Sequence, residues 1–122
     1  MNTHHNLNVW KLSIRLVTDI YVATKGFPVD EKYGLTSQIR RSSVSVPSNI
    51  AEGAARRNTN EFAHFLRISL GSLAELETQL IISEQLGFIQ PANNAKLLSD
   101  RTVIAKQLQS LYNKIASKSE KN

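Results

Sequence analysis

Cysteine is absent from the 122-residue chain, which excludes disulfide bonds and thiolate metal sites. Long apolar runs are absent too: no stretch approaches the roughly 20 consecutive apolar residues of a membrane helix, and the opening residues 1–8 lack the apolar segment of a signal peptide. We therefore expect a cytoplasmic protein without a membrane segment. A chain of this length buries enough surface for one core, so residues 1–122 should form a single domain.

Acidic residues are fewer than basic ones. Ten Asp and Glu residues stand against fifteen Lys and Arg residues, for a formal net charge of +5 and an isoelectric point near 9.8. Such an excess favours polyanionic partners, nucleic acid first and anionic membranes second. It is also common in proteins that bind no nucleic acid specifically, so charge alone leaves both interpretations open.

Three short stretches rich in breakers divide the chain, at 26–28, 53–60 and 87–91. The four segments between them repeat apolar residues at helical spacing, and none alternates like a strand. Short connections force neighbouring helices to pack antiparallel. The predicted fold is all-α, an antiparallel up-down-up-down four-helix bundle with helices at about 8–25, 35–55, 60–86 and 91–117.

The third and fourth segments carry apolar stripes at the alternating three- and four-residue spacing of bundle seams. Arg101 occupies a seam position in the fourth segment, among leucines and isoleucines. Glu77, near the apolar face of the third segment, is as far from the intervening turn as Arg101 is. Antiparallel packing places the two residues at one height, so we predict a partly buried Glu77–Arg101 ion pair, with Arg40 in the same layer.

Glu61 belongs to two sequence patterns. With Asn58 it has the spacing of a capping box at the start of the third helix. With His64 it matches the Glu-x-x-His motif of di-iron bundles, but there is no second copy, and both side chains should point away from the inward face that holds Phe62. The usual hydrolase and kinase motifs are missing. We therefore expect no metal, no cofactor, no small-molecule substrate and no enzymatic activity.

The outer side of the second helix carries small side chains where a solvated face would carry more Lys and Glu. This composition favours a contact surface over a solvated one. In the third helix, Gly71 costs about 1 kcal/mol relative to alanine, which suggests close approach of a backbone from within the chain or from a second subunit. The predicted oligomer interface consists of Val44, Ser45, Ser48, Ala51 and Ala55.

Two arginine doublets lie near opposite ends of the second helix. Guanidinium groups pair with phosphates in a two-pronged geometry, so we assign nucleic-acid binding to Arg40, Arg41, Arg56 and Arg57. Solubility or pairing with carboxylates is the alternative role for either doublet. No aromatic residue flanks a doublet in the sequence, so base stacking beside them is not expected.

Two blocks of sequence resemble a known family. Residues 38–53, QIRRSSVSVPSNIAEG, look like the signature of the 23S rRNA intervening sequence proteins, and residues 65–77, FLRISLGSLAELE, resemble the second block of that family. The opening residues 9–11, VWK, and the turn at 26–28, GFP, also fit. The resemblance therefore extends over nearly everything before the fourth helix.

The resemblance implies an antiparallel four-helix bundle, often assembled as a ring-shaped homopentamer. Some members are encoded within insertions in bacterial 23S ribosomal RNA genes. Related bundle proteins are accessory factors of diversity-generating retroelements, in which a basic pentamer associates with reverse transcriptase and nucleic acid. The name describes where the genes were found and assigns no activity.

Together these observations predict a non-enzymatic oligomeric binding protein. Its expected partners are further copies of itself, in a pentamer, and an RNA or a ribonucleoprotein, with a reverse transcriptase as a candidate component. The alternative is a helical protein–protein adaptor whose basic charge has no role in nucleic-acid binding. Salt-sensitive RNA binding separates the two hypotheses.

Overall fold

Four helices account for most of the computed structural model, which describes residues 4–121; the two ends of the predicted 1–122 domain lie outside that range. The helices are α1 (Asn8–Thr24), α2 (Leu35–Ala54), α3 (Thr59–Gln85) and α4 (Pro91–Lys121). Short 3-10 helices at His4–Asn6 and Val29–Glu31 precede α1 and α2. The described residues form no strand, which confirms the all-α prediction.

Each helix packs against its two neighbours in the cyclic order α1–α2–α3–α4–α1. Contacts at both ends of α3 define its direction relative to α4. Asn94 donates to the carbonyl of Leu80 at 3.1 Å, whereas Ser119, near the end of α4, bonds Asn60 at the start of α3. Early residues of one helix thus meet late residues of the other, as in an antiparallel bundle.

One apolar core runs along the axis of the bundle. All four helices contribute to it with the residues that their periodicity places on one face. The largest wholly buried aliphatic side chains are Ile20, Ile39, Ile50, Leu66, Leu73, Leu76, Leu80, Ile104 and Leu108. Within residues 4–121, no helix combines the length and apolar composition needed to cross a bilayer.

The connections are built from helix caps. The Asn58 side chain accepts from the backbone N–H groups of Asn60 and Glu61 at 2.7 and 3.2 Å, so Asn58 caps α3 as predicted. The described hydrogen bonds do not include the return bond from the Asn58 N–H to the Glu61 side chain that would complete a capping box. After α3, Gly87 has φ +78°, and the Phe88 N–H donates to the Ser83 carbonyl at 2.9 Å. This is a Schellman ending, which favours glycine because a Cβ is strained in the left-handed region.

Helix α4 is longer than the sequence suggested. The Lys- and Ser-rich tail indicated an end near residue 117, but α4 continues to Lys121. Ile115 is still buried, and Ala116 packs against the core. Because packing and the Asn60–Ser119 contact hold the last turns against α3, tertiary contacts override the weak helical pattern of the tail.

Candidate nucleic-acid interface

Arg40 lies against helix α1. Its Nε donates to Thr24 Oγ1 at 2.9 Å and its Nη2 donates to the Tyr21 carbonyl at 3.4 Å. Its guanidinium carbon lies 4.4 Å from the centre of the Tyr21 ring, in cation–π geometry. The hydrogen bonds from Ser69 to Val46 and from Ser72 to Ser45 set the register of α2 against α3 and put residue 40 near the height of Glu77, as predicted. The guanidinium itself is held by α1 and makes no described contact with the Glu77–Arg101 pair.

A groove opens beside the Arg40–Tyr21 contact, with a volume of about 430 Å³. Tyr33 is 87% exposed, and Lys32 Nζ lies 5.5 Å from the centre of its ring. Arg41 is exposed. We call this surface the tyrosine–arginine groove; its lining residues are Tyr21, Lys32, Tyr33, Thr36, Ser37, Arg40, Arg41 and Val44.

The sequence pattern did not predict that aromatic residues lie close to the Arg40–Arg41 doublet. Tyr21 is 19 residues away from Arg40 and does not flank the doublet. A usable signal was present, since Tyr21 and Arg40 are nearly equidistant from the middle of the α1–α2 connection. The same reasoning paired Glu77 with Arg101. Antiparallel folding brings an aromatic ring to the first doublet, so the absence of flanking aromatics in the sequence did not exclude base stacking.

The second doublet lies where α2 meets α3. Arg56 and Arg57 are both exposed. Arg56 Nη2 lies 3.6 Å from Glu52 Oε2, and its guanidinium carbon lies 5.2 Å from the centre of the Phe65 ring. An exposed pair of this length is weak and yields readily to a phosphate. Both guanidinium groups are therefore accessible to a phosphate.

Positive charge is concentrated at the end of the bundle that contains the α2–α3 connection, the start of α1 and the end of α4. We call it the basic end. Only two carboxylates among the described side chains lie there, Glu52 and Glu61, and each is exposed. Among the described side chains of this end, the excess is therefore four positive charges. The six cationic residues at this end are Lys11, Arg56, Arg57, Arg67, Lys114 and Lys118.

The predicted oligomer residues divide into three groups. Val44, Ser48 and Ala51 line an open, mainly apolar groove of about 330 Å³ between α1 and α2, the α1–α2 groove. Ser45 does not belong to it, because its hydroxyl accepts from Ser72 Oγ of α3 at 2.9 Å. Ala55 is exposed just beyond the last residue of α2. From α1, the groove is lined by Trp10, Ile14 and Val17, with His4 and Thr18 at its edge.

Within one chain, the close backbone approach lies at Gly53 rather than at Gly71, where contact with a second subunit stays a prediction. A Cβ built on Gly71 meets nothing within 4 Å, which excludes an intrachain neighbour there. A Cβ on Gly53 would lie 2.8 Å from Phe65 Cβ and 3.2 Å from the Phe62 carbonyl oxygen. Glycine at position 53 thus lets the last turn of α2 lie directly on α3.

Arg101 is 9% exposed, and its guanidinium faces α3. Its Nη2 lies 3.4 Å from Glu77 Oε2, and its Nη1 donates to the Leu73 carbonyl at 3.2 Å. The Glu77 side chain is 48% exposed, so water reaches the carboxylate but hardly reaches the guanidinium. This contact joins the middle of α3 to the middle of α4.

Residues with catalytic potential are dispersed. Glu61 and His64 are both exposed, as predicted, and the part of the chain that the structure describes contains no cluster of three metal-ligating side chains. Lys96 lies 2.9 Å from Asp100. The hydrogen bond that Lys96 donates to the Asp100 carboxylate, reinforced by the negative charge of that carboxylate, raises the pKa of Lys96. A lysine that acts as a nucleophile or base needs the opposite shift.

Comparisons with known proteins agree with this architecture. The family model described as 23S rRNA-intervening sequence protein matches residues 5–110. A similar solved structure is that of a protein with unknown function from the S23 ribosomal protein family of Bacteroides thetaiotaomicron VPI-5482, determined at 1.70 Å resolution. The two sequences are 24% identical, and the match covers 85% of this chain and 97% of the other. The TM-score of 0.77 between the two structures is evidence for a shared fold. No curated protein matches the chain.

Proposed function

The chain belongs to the 23S rRNA-intervening sequence protein family, whose name assigns no reaction, so we infer its function from its surfaces. We propose that it is a non-enzymatic oligomeric protein that binds RNA through the phosphates of the RNA. The predicted phosphate contacts are made by Arg56 and Arg57, with the other cations of the basic end around them. The observation that carries this proposal is the concentration of positive charge at one end of the bundle.

Clustering matters more than total charge. A net charge of +5 spread evenly over a small protein gives a weak field. With six cations and two carboxylates among the described side chains of one end, the phosphates of a single nucleic-acid strand can contact several cations together. Each phosphate neutralised by a cation releases counterions, so affinity built in this way falls steeply with salt.

Oligomerisation would multiply this effect. In the α1–α2 groove, Ile14 is 40% exposed and Val44 is 38% exposed, beside the rings of Trp10 and Pro47. These apolar side chains are only partly covered within one chain, and we assign the groove to contact with a second copy. The family resemblance favours a pentamer, in which each subunit adds a basic end and raises avidity without new contacts.

A catalytic role has less support. The groove that holds Arg15, Asp19, Lys96 and Asp100 is charged, but the Lys96–Asp100 pair in it is exposed and its lysine is stabilised in the protonated form. Nucleophilic or general-base chemistry requires a group whose pKa is moved toward neutrality. The described side chains of this groove therefore favour surface ion pairing over a reaction.

The deciding experiment is a salt titration of RNA binding by the intact oligomer. Replacing Arg56 and Arg57 together with alanine should weaken binding to unrelated RNAs alike. It should also flatten the slope of log affinity against log salt by about 1.4, or about 0.7 for each lost contact to a single strand. The matched control is Lys25→Ala with Lys96→Ala, which removes two exposed positive charges near the opposite end of the bundle and should change the slope less.

Failure of this titration supports the adaptor hypothesis. If the wild-type oligomer binds no RNA even at about 50 mM salt, phosphate contacts are not its function. The partly exposed apolar groove between α1 and α2 then favours a protein–protein adaptor. If both double variants flatten the slope equally, the basic end has no special role.

A further inference from the structure

We propose that the tyrosine–arginine groove binds an unpaired base of single-stranded RNA by stacking, a site that deepens the proposed RNA-binding function and rests on it. This groove lies away from the basic end, near the connection between α1 and α2. The phosphate contacts of the basic end supply affinity, and the groove distinguishes unpaired strands from duplexes. Three features of the groove carry the inference.

The first feature is Tyr33, whose ring offers an accessible stacking surface. It is 87% exposed, in the connection just before α2, and makes no contribution to the core. Lys32 Nζ lies 5.5 Å from the centre of the ring. Because the Lys32 ammonium lies over one face of the ring, a base can stack on the other face while the cation holds the adjoining phosphate.

The second feature is the fixed orientation of Arg40. Bonds to Thr24 Oγ1 and to the Tyr21 carbonyl engage two of its five N–H donors, and the Tyr21 ring supports its face. A guanidinium held in this way loses little further freedom when a ligand binds. Its remaining donors can therefore serve a base edge or a phosphate at low entropic cost.

The third feature is the charge of the groove. Its lining contains three cations, Lys32, Arg40 and Arg41, and no carboxylate. Two acidic side chains, Asp30 and Glu31, lie in the connection before α2, close in sequence to Lys32 and Tyr33. Of these, Glu31 accepts from the Leu35 backbone N–H at 3.0 Å and so caps α2, and Asp30 is exposed. The groove itself thus favours an anionic ligand.

These features favour single-stranded RNA over duplex RNA as the ligand. In A-form RNA the bases are stacked on one another and their edges lie in a deep, narrow major groove that side chains cannot read. A volume of about 430 Å³ suits a ligand of nucleotide size. Bracing of α1 against α2 explains the Arg40–Tyr21 contact, but it explains neither the exposed Tyr33 nor the two further cations.

The test compares oligonucleotides that differ only in their bases. A twelve-nucleotide single strand, an abasic strand with the same phosphates and the corresponding duplex are titrated against the intact protein at about 50 mM salt. Tyr33→Ala should weaken binding of the single strand at least about fivefold, the low end for one stacking side chain, without changing abasic binding. Tyr33→Phe should keep the affinity, because its ring still stacks.

The matched control is Val29→Ala, which truncates a side chain of equal exposure, 87%, in the same connection. A 2-aminopurine base in the strand gives an independent readout, since stacking quenches its fluorescence. Quenching should occur with wild type, Tyr33→Phe and Val29→Ala and disappear with Tyr33→Ala. Circular dichroism should give all variants the same helix content.

The outcomes separate the two proposals. If Tyr33→Ala binds the single strand as wild type does, or loses the same factor on the abasic strand, the stacking site is overturned while phosphate binding stands. If neither strand binds the wild-type protein, both proposals fall. Equal affinity for the single strand and the duplex would also overturn the stacking site.

Discussion

Replacing Glu77 with glutamine removes the carboxylate that faces Arg101 while keeping the size of the side chain. The two groups are 3.4 Å apart in the wild-type protein, and Arg101 is 9% exposed. The variant leaves a largely buried guanidinium with the Leu73 carbonyl at 3.2 Å as its main remaining acceptor. The expected result is a loss of stability that depends on how well water can replace the carboxylate.

The magnitude follows from the unequal exposure of the two partners. Orphaning one charge of a fully buried ion pair costs about 3–5 kcal/mol. The Glu77 side chain is 48% exposed, so water already screens the pair and can enter where the carboxylate was. We therefore expect Glu77→Gln to lower the free energy of unfolding by about 1–2 kcal/mol, below the fully buried case.

Replacing Arg101, the other partner of the pair, should lower the free energy of unfolding less than Glu77→Gln does. Arg101→Met removes the buried charge and fills its seam position with an apolar side chain. Glu77 then remains in contact with water, so no charge is left buried and unpaired. Because replacing a buried charge with packed apolar atoms is often neutral or stabilising, we expect a change within about 1 kcal/mol.

Urea unfolding followed by circular dichroism measures these differences. All variants are compared at one protein concentration, because subunit association contributes to apparent stability. Glu75→Gln is the control, since it makes the same chemical change at an exposed position of α3 and should stay within about 0.5 kcal/mol of wild type. The reasoning is refuted if Arg101→Met destabilises more than Glu77→Gln, or if Glu77→Gln matches Glu75→Gln.

Two further predictions concern packing and assembly. Gly53→Ala should destabilise the protein in urea unfolding by about 1–2 kcal/mol, because overpacking against α3 exceeds the gain in helix propensity. Gly71→Ala, with open space around its new methyl group, should stabilise it by about 0.5–1 kcal/mol; an opposite order would contradict the assigned approach. Light scattering of the wild type should report several subunits. Ala51→Glu should lower the measured mass, because it would bury a charge in the α1–α2 groove when subunits associate. Ala92→Glu places the same charge at an exposed position at the start of α4 and should leave the mass unchanged. A monomeric wild type would refute the interface.

The fold could be predicted because its determinants are local. The breakers at 26–28, 53–60 and 87–91 and the apolar stripes between them place the four helices to within a few residues. The Asn58 cap is equally local, since the side chain bonds N–H groups two and three residues away. The end of α4 was harder to predict, because its last turns pack against the start of α3, which is distant in the sequence.

The candidate site was less predictable because it depends on neighbours in space. The Arg40–Arg41 doublet was visible in the sequence as a phosphate-binding candidate. Its tyrosine partners were not, because they belong to α1 and to the connection before α2. In the oligomer prediction, Ser45 was assigned to an outer face, but helix rotation directs its hydroxyl to Ser72.

The sequence by itself determined the helical class, the number and order of helices, the inward faces and the excess of basic residues. These follow from the spacing of residues along the chain, which backbone geometry converts directly into faces of a helix. Tertiary structure alone decided that six described cations and only two described carboxylates gather at one end, that Tyr21 supports Arg40, and that Gly53 lies beneath the phenylalanines of α3. The reason is that such contacts depend on the axial height and rotation of each helix against its neighbours, which the packing of all four helices sets together.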